Sequence, residues 1–364
     1  MVNFKPSEEQ QLLRDTLTGF AREVLRPSAR EADEKDAVPA SVVEKGWELG
    51  LVQTSIPEEH GGYGSGRSAI RSAIKLEELA YGDLAMTMHL VTPRLVTVPL
   101  IVAGTPEQQA AWLPRFCGDS FTPATAALQE PRWDFDAGKP ATKAERQGGD
   151  WVISGRKCLV PLADRACGLL VYASAPDGLA AFVVERGAKG LGVGEREKNM
   201  GVKALDTFPV TLDAVRVPAA SRLGGDGGAD AQAFVDASRV ASAALAVGVS
   251  RAAFDYARDY AKERKAFGVP IAQKQAIAFM LADMATEVDA MRLLAWEAAW
   301  RIDQGLPATR EAYLARHYAA QASLKIADNA LQILGGHGYI RDHLVELLLR
   351  NARGFSTFDG LAIV

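Results

Sequence analysis

The sequence predicts a mainly α-helical chain with a β domain at its centre, and three observations carry that reading. A 3.6-residue apolar period runs from Ser7 to about residue 121. Short β-rich runs separated by turn signals fill residues 122–225. Long alanine-rich helical stretches occupy residues 226–364, with short connections between them. The expected domains are therefore 1–121 (helical), 122–225 (β) and 226–364 (helical bundle).

In the first domain, Ser7-Glu8-Glu9-Gln10 is a capping-box start, followed by Leu12, Leu13, Leu17 and Phe20 at helical spacing. Ile56 to Gly64 is a glycine-rich loop. Ser68 to Tyr81 returns to the helical period through Ile70, Ile74, Glu77 and Leu79. Thr105-Pro106-Glu107 reads as an N-cap with proline at the first helical position, opening a helix to Phe116.

In the second, Gly148-Gly149-Asp150 leads into Trp151-Val152-Ile153-Ser154-Gly155. Leu169 to Tyr172 and Ala181 to Val184 flank the turn Pro176-Asp177-Gly178, and Val210-Thr211-Leu212 precedes Val215 to Pro218. This spacing predicts a small antiparallel barrel or sandwich. Asp226-Gly227-Gly228 is the boundary loop. Beyond it, Ala233–Glu263, Gln273–Gly305, Thr309–Leu334 and His343–Arg350 read as the helices of a four-helix bundle.

A chain of 364 residues with 48% hydrophobic and 24% charged content has the composition of a globular protein with a large core. Its formal net charge of −4 gives no electrostatic case for nucleic acid or anionic membrane as partner. Met1 to Pro6 lack the apolar core of a signal peptide, and no run of about eighteen apolar residues predicts a membrane span. Cys117, Cys158 and Cys167 are read as buried free thiols of a cytoplasmic protein, and the five histidines form no metal-binding pattern.

Four runs then carry a resemblance. They are Glu77-Glu78-Leu79-Ala80-Tyr81-Gly82, then Lys198-Asn199-Met200-Gly201 with Asp206-Thr207 and Val215 to Pro218 after it. Tyr260 to Ile271 with Gln275 follows, and lastly Gln332-Ile333-Leu334-Gly335-Gly336-His337-Gly338-Tyr339. In this order they resemble the acyl-CoA dehydrogenases over essentially the whole chain. The resemblance implies α-helical, β and four-helix-bundle domains, FAD as cofactor and an acyl-CoA substrate. It also implies a carboxylate that takes the α-proton while a β-hydride passes to the flavin.

By the same resemblance, Arg264, Phe267, Gln275, Gln332, Gly335 and Gly336 are expected to hold the ADP end of FAD. Leu128, Gln129, Leu159 and Pro161 stand where the family meets the flavin ring. There the family's Thr-Glu-Pro reads Gln129-Glu130-Pro131, and its aromatic and threonine positions read Leu159 and Pro161. Trp133 reads either as a substitute plate for the flavin ring or, in preference, as a structural tryptophan of the β domain. Asp359 occupies the place of the catalytic glutamate, although Phe358-Asp359-Gly360 is equally read as a solvated turn. Ser238 stands where some members carry that glutamate and cannot serve as a base. Asp236 and Arg239 align with substrate-channel positions, or pair with each other at i,i+3. Met86, Met88, His89 and Arg94 lie where the family lines the acyl end.

The resemblance further implies an electron-transferring flavoprotein as acceptor and composite FAD sites in a dimer of dimers. Two alternatives follow from the eroded ring wall. One is a non-catalytic subunit that completes the ADP half of a homologous partner's site in a hetero-oligomer. The other is related chemistry of the nitroalkane oxidase or CoA-thioester desulfinase kind.

Overall fold

The computed structural model describes residues 6–64 and 66–364; Met1–Lys5, where no signal-peptide core is expected, lie outside them. Helix α1 (Glu8–Phe20) begins with the expected capping box. The Gln10 N–H donates to Ser7 Oγ at 3.2 Å, and the Ser7 N–H donates to Gln10 Oε1 at 2.9 Å. A π-turn over Ala21–Leu25 passes into α2 (Arg26–Lys35). Next come α3 (Ala40–Glu48), α4 (Ala69–Gly82), α5 (Leu84–Val91), α6 (Arg94–Ala103) and α7 (Pro106–Trp112). The helix expected to reach Phe116 tightens to a 3-10 turn over Leu113–Phe116, where Pro114 has no N–H to continue it.

Seven strands form one sheet in the order β1-β4-β2-β3-β7-β6, with β5 also on β4. They are β1 (Thr125–Ala127), β2 (Lys143–Gln147), β3 (Asp150–Pro161), β4 (Gly168–Ala175), β5 (Gly178–Glu185), β6 (Leu191–Val193) and β7 (Thr207–Pro218). The expected all-antiparallel pairing is corrected here, because β1 and β2 both pair with β4 in parallel. The segment Leu128 to Thr142 separates β1 from β2, so the chain crosses over instead of turning back as a hairpin. The two runs read at Val210 and Val215 are one strand, kinked at Ala214 (φ 48°).

The unbroken apolar run of β4 has a simple cause: both its faces are covered. Leu169, Val171 and Ala173 point into a core of the sheet's own, where Trp151 meets Phe182 with ring centroids 5.3 Å apart. Leu170 and Tyr172 point the other way, into the core shared with the helices. Trp133 is no part of either core; it is 98% exposed, which corrects the structural role expected of it. The three cysteines are free and partly rather than fully buried.

The bundle follows with α8 (Ala231–Glu263), a two-strand hairpin β8 (Lys265–Ala266) and β9 (Val269–Pro270), α9 (Gln275–Asp303), α10 (Thr309–Leu334) and α11 (Val345–Gly354). Asp230 caps α8 by accepting from the Gln232 and Ala233 N–H groups, so that helix starts two residues earlier than its apolar pattern. Helix α8 is long and apolar enough to cross a membrane, yet 83% of its most apolar window is buried among its neighbours. Small residues let α4 approach it: a β-carbon on Gly248 would fall 2.9 Å from Ala80 Cβ. Charge locks the same contact. Arg251 of α8 donates to Glu77 and Glu78 of α4, Arg292 of α9 donates to Glu77, and Arg14 of α1 donates to Glu78.

Candidate active site

Asp359 sits just past the C-terminus of α11. The Thr357 and Phe358 N–H groups both return to the Gly354 carbonyl, at 2.7 and 2.8 Å, and turn the chain inward. Gly360 then takes φ 77°, and a β-carbon there would lie 2.8 Å from Leu128 Cβ. Only glycine passes this point without displacing the β-domain wall. The Gln129 side chain clamps the turn on both sides. Its Nε2 donates to the Thr357 carbonyl and its Oε1 accepts from the Asp359 N–H, each at 3.0 Å.

The Asp359 side chain is 11% exposed, so it is not the solvated turn residue that Asp-Gly permits. Arg316 of α10 donates to the Phe358 carbonyl at 2.6 Å, and its Nη2 lies 3.8 Å from Asp359 Oδ2. Asp359 Oδ1 is buried and has no hydrogen-bond partner. Asp359 borders a cavity of about 10 Å³ whose other walls include Met88, Ser238, Ser242, Leu245, Phe355, Leu361 and Ala362. This is a basic group held in place from its backbone, with one oxygen left unsatisfied.

Two of the expected ring-wall residues lie at this turn: Gln129 meets Asp359 through its amide, and Leu128 packs close against Gly360 beside it. Leu159 is tied to them because the Cys158 N–H donates to the Gln129 carbonyl at 3.0 Å. A register shift in β3 between Lys157 and Val160 puts Leu159 at φ 52°, with its N–H donated to the Glu197 carboxylate at 3.0 Å. Pro161 is buried in the ladder opposite Thr207. Behind this wall Lys157 Nζ donates to the Leu128 carbonyl at 3.0 Å and to Glu130 Oε1 at 3.1 Å, both side chains fully buried. Burial lowers the Lys157 pKa to about 8, with Glu130 opposing that shift.

A second group gathers at the far end of the bundle. Tyr260, near the end of α8, shares a 2.7 Å hydrogen bond with His337 Nδ1 in the 3-10 turn Gly335–Tyr339 that follows α10. That bond brings Gln332, Gly335 and Gly336 to the end of α8, where Arg264 is the C-cap. Arg264, Gln275, Gln332 and both glycines are exposed. Nothing lies within 4 Å of a β-carbon built on Gly335 or Gly336. Phe267 is 95% exposed and held at φ 55°, with Lys274 Nζ 5.5 Å from its ring centre. An exposed apolar ring on a left-handed backbone costs free energy twice over, and such costs mark functional positions. Among the described residues no hydrogen bond or ion pair joins this group to Asp359.

Asp236 and Arg239 are engaged elsewhere. Asp236 accepts from Gln232 at 2.9 Å, from Thr309 at 2.6 Å and from Arg239 at 3.4 Å, tying α8 to the start of α10. The i,i+3 pairing is therefore present, and the residues of α8 that line the Asp359 cavity are Ser238, Ser242 and Leu245. The sequence reading missed Arg316, Ser242 and Phe355. Ser238 and Ser242, four residues apart on one helix, were the visible signal of a shared polar face. Arg316 gave none.

Sequence profiles match in the same order. The profile of the acyl-CoA dehydrogenase N-terminal domain matches residues 7–119, that of the middle domain 125–215, and that of the C-terminal domain 225–362. The short-chain specific acyl-CoA dehydrogenase of Bos taurus is 36% identical over 362 residues, covering 97% of this chain and 87% of that protein. A probable acyl-CoA dehydrogenase of Bacillus subtilis is 37% identical, covering 99% and 96%. The solved butyryl-CoA dehydrogenase of Megasphaera elsdenii superposes with a TM-score of 0.88 at 29% identity, covering 99% of this chain and 96% of that one. A glutaryl-coenzyme A dehydrogenase in complex with glutaryl-CoA does so at 0.88 and 31% identity, covering 98% and 92%. Fold and relatives together define an oxidoreductase acting on CH–CH donors. The chain belongs to the acyl-CoA dehydrogenase family.

Proposed function

We propose that this protein is an FAD-dependent acyl-CoA dehydrogenase in which Asp359 removes the α-proton of an acyl thioester. The observation that carries this is the unpartnered, buried Oδ1 of Asp359, held by Gln129 and Arg316 at the meeting of bundle and sheet. A carboxylate oxygen without a donor, walled by apolar groups, is suited to accept a proton from carbon. The names of the relatives support an acyl-CoA as substrate.

The phosphate end of FAD fits this chain. Arg264 would offer a fork of donors to the pyrophosphate, and the open Gly335-Gly336 turn would let backbone approach it. Phe267 would pack on the cofactor, with Gln275 and Gln332 as polar contacts. When bound, FAD accepts the β-hydride. The separation of the exposed bundle end from Asp359 within one chain supports composite sites in a dimer of dimers. An electron-transferring flavoprotein is the expected acceptor.

One observation favours the second reading, a subunit that lends its bundle end to a homologous partner. The ring wall has few donors to spare: the Gln129 amide is spent on Thr357 and Asp359, the Leu159 N–H on Glu197, and Pro161 has none. The absorbance of the chain purified alone distinguishes the two. A flavin spectrum that bleaches on adding an acyl-CoA is the expected result. A colourless chain that gains flavin only when co-expressed with a homologue refutes the first reading and supports the second.

A further inference from the structure

A second cavity, of about 360 Å³, opens between α1, the Leu49–Thr54 turn and the start of α4, remote in sequence from Asp359. Its aliphatic side is formed by Leu13, Leu17 and Leu49. Its polar side is formed by Lys75, Thr54 and Ser72.

Lys75 is 7% exposed. Its Nζ donates to the Leu51 carbonyl at 3.0 Å and to Thr54 Oγ1 at 3.1 Å, and no carboxylate among the described residues pairs with it. Arg94 lies behind it, 1% exposed. Its guanidinium donates to Ser55 Oγ at 2.5 Å and Ser72 Oγ at 2.8 Å, its Nε has no partner, and it too lacks a carboxylate. Thr54, Ser55 and Ser72 thus each accept from a cation, and none of their hydroxyl hydrogens has an acceptor among the described residues. The one acid on the cavity wall, Glu9, is at the rim and paired with Arg71 at 2.9 Å. Lys75, Arg94 and Ser72 are buried, while Ser55 is half-buried and Thr54 lies at the exposed mouth. Two buried cations without a carboxylate are what an anion would relieve. Burial, and then the charges of Arg94 and Arg71, push the Lys75 pKa well below the ordinary lysine value, the opposite of what a resident carboxylate would do.

We propose that this cavity binds a monocarboxylate with a short aliphatic chain, its carboxylate seated on the Lys75 ammonium and the Thr54 and Ser72 hydroxyls. The leucines take the chain. A carboxylate supplies an acceptor for the Thr54 and Ser72 hydroxyls and a counter-charge for Lys75, and it neutralises the charge that Arg94 adds from behind. The site is independent of the reaction proposed at Asp359.

Calorimetric titration of the full chain with sodium hexanoate tests it, with hexan-1-ol as the uncharged control. Hexanoate is expected to bind at one site per chain, with hexan-1-ol about tenfold weaker or worse. Lys75→Met, which keeps the apolar stem, is expected to weaken hexanoate by about tenfold or more while leaving hexan-1-ol unchanged. Ser72→Ala gives a second variant with a smaller loss. Equal affinity for acid and alcohol, no binding at millimolar hexanoate, or binding that Asp359→Asn abolishes and Lys75→Met leaves intact would each overturn the proposal.

Discussion

At Asp359 the chain places a carboxylate one methylene shorter than glutamate and compensates by anchoring its backbone. The Gln129 amide grips the turn from both sides and Arg316 holds the preceding carbonyl. The isosteric change Asp359→Asn keeps these contacts and removes only the basic oxygen. Turnover of an acyl-CoA is expected to fall by about 100-fold or more while its binding persists. Stopped-flow bleaching of the flavin measures both, and an undiminished rate would reduce Asp359 to a turn residue. His89 carries a different prediction. Its ring stacks on Phe121 at 5.4 Å, its Nδ1 has no partner, and burial holds its pKa down at about 4. A value depressed below the ordinary 6.5 contributes stability above pH 6.5 that is lost as pH falls toward 4. Asp83 has the opposite sign: burial raises its carboxyl to about 6, so its contribution is lost as pH rises through 6. The two blunt each other in the parent protein. His89→Leu should therefore gain relative to the parent as pH falls from 6.5 to 4, by at most ~1.4 kcal/mol per pH unit in urea unfolding. A pH-independent difference would contradict the assignment. Asp359 was legible in the sequence because its neighbours form a motif. Arg316 was not, because a lone arginine in an alanine-rich helix looks like any solvated charge until folding shows what it meets.

Between elements, the strongest joint is the ion cluster where α4 crosses α8 and α9. Burial alone would raise the Glu78 carboxyl, but the hydrogen bond and charge of Arg251, and then Arg14, hold it below the ordinary glutamate range. Arg251 also lies over the Tyr81 ring, 4.7 Å from its centre. Removing that cation leaves Glu77 with Arg292 and Glu78 with Arg14, so Arg251→Met should destabilise the protein by about 2 kcal/mol. Urea unfolding reads this directly, and a change below about 0.5 kcal/mol would show the cluster to be mere surface pairing. Most helices were legible, since caps and period agreed: Thr309–Leu334 has the limits its pattern gives, and Ser68 caps α4. The parallel pairing of β1 and β2 with β4 was hidden, because period-2 alternation fixes which face a side chain takes but not which strand lies beside it. The left-handed backbones at Leu159 and Phe267 were hidden as well, for neither residue type announces that conformation.

For the molecule as a whole, helical, β and helical segments were readable from texture alone, while the separation of the two halves of the candidate site was not. One half, around Asp359, is enclosed by the fold; the other, around Arg264 and Phe267, faces outward. Sequence order cannot reveal this, since α11 lies between Gly336 and Asp359 and carries the chain from one half to the other. The enclosed half has a consequence for encounter with any guest. Leu361 and Ala362 are among the walls of the cavity beside Asp359, and about 10 Å³ is the space of a single water at most. Entry of any guest larger than a water therefore requires the walls of this cavity to give way.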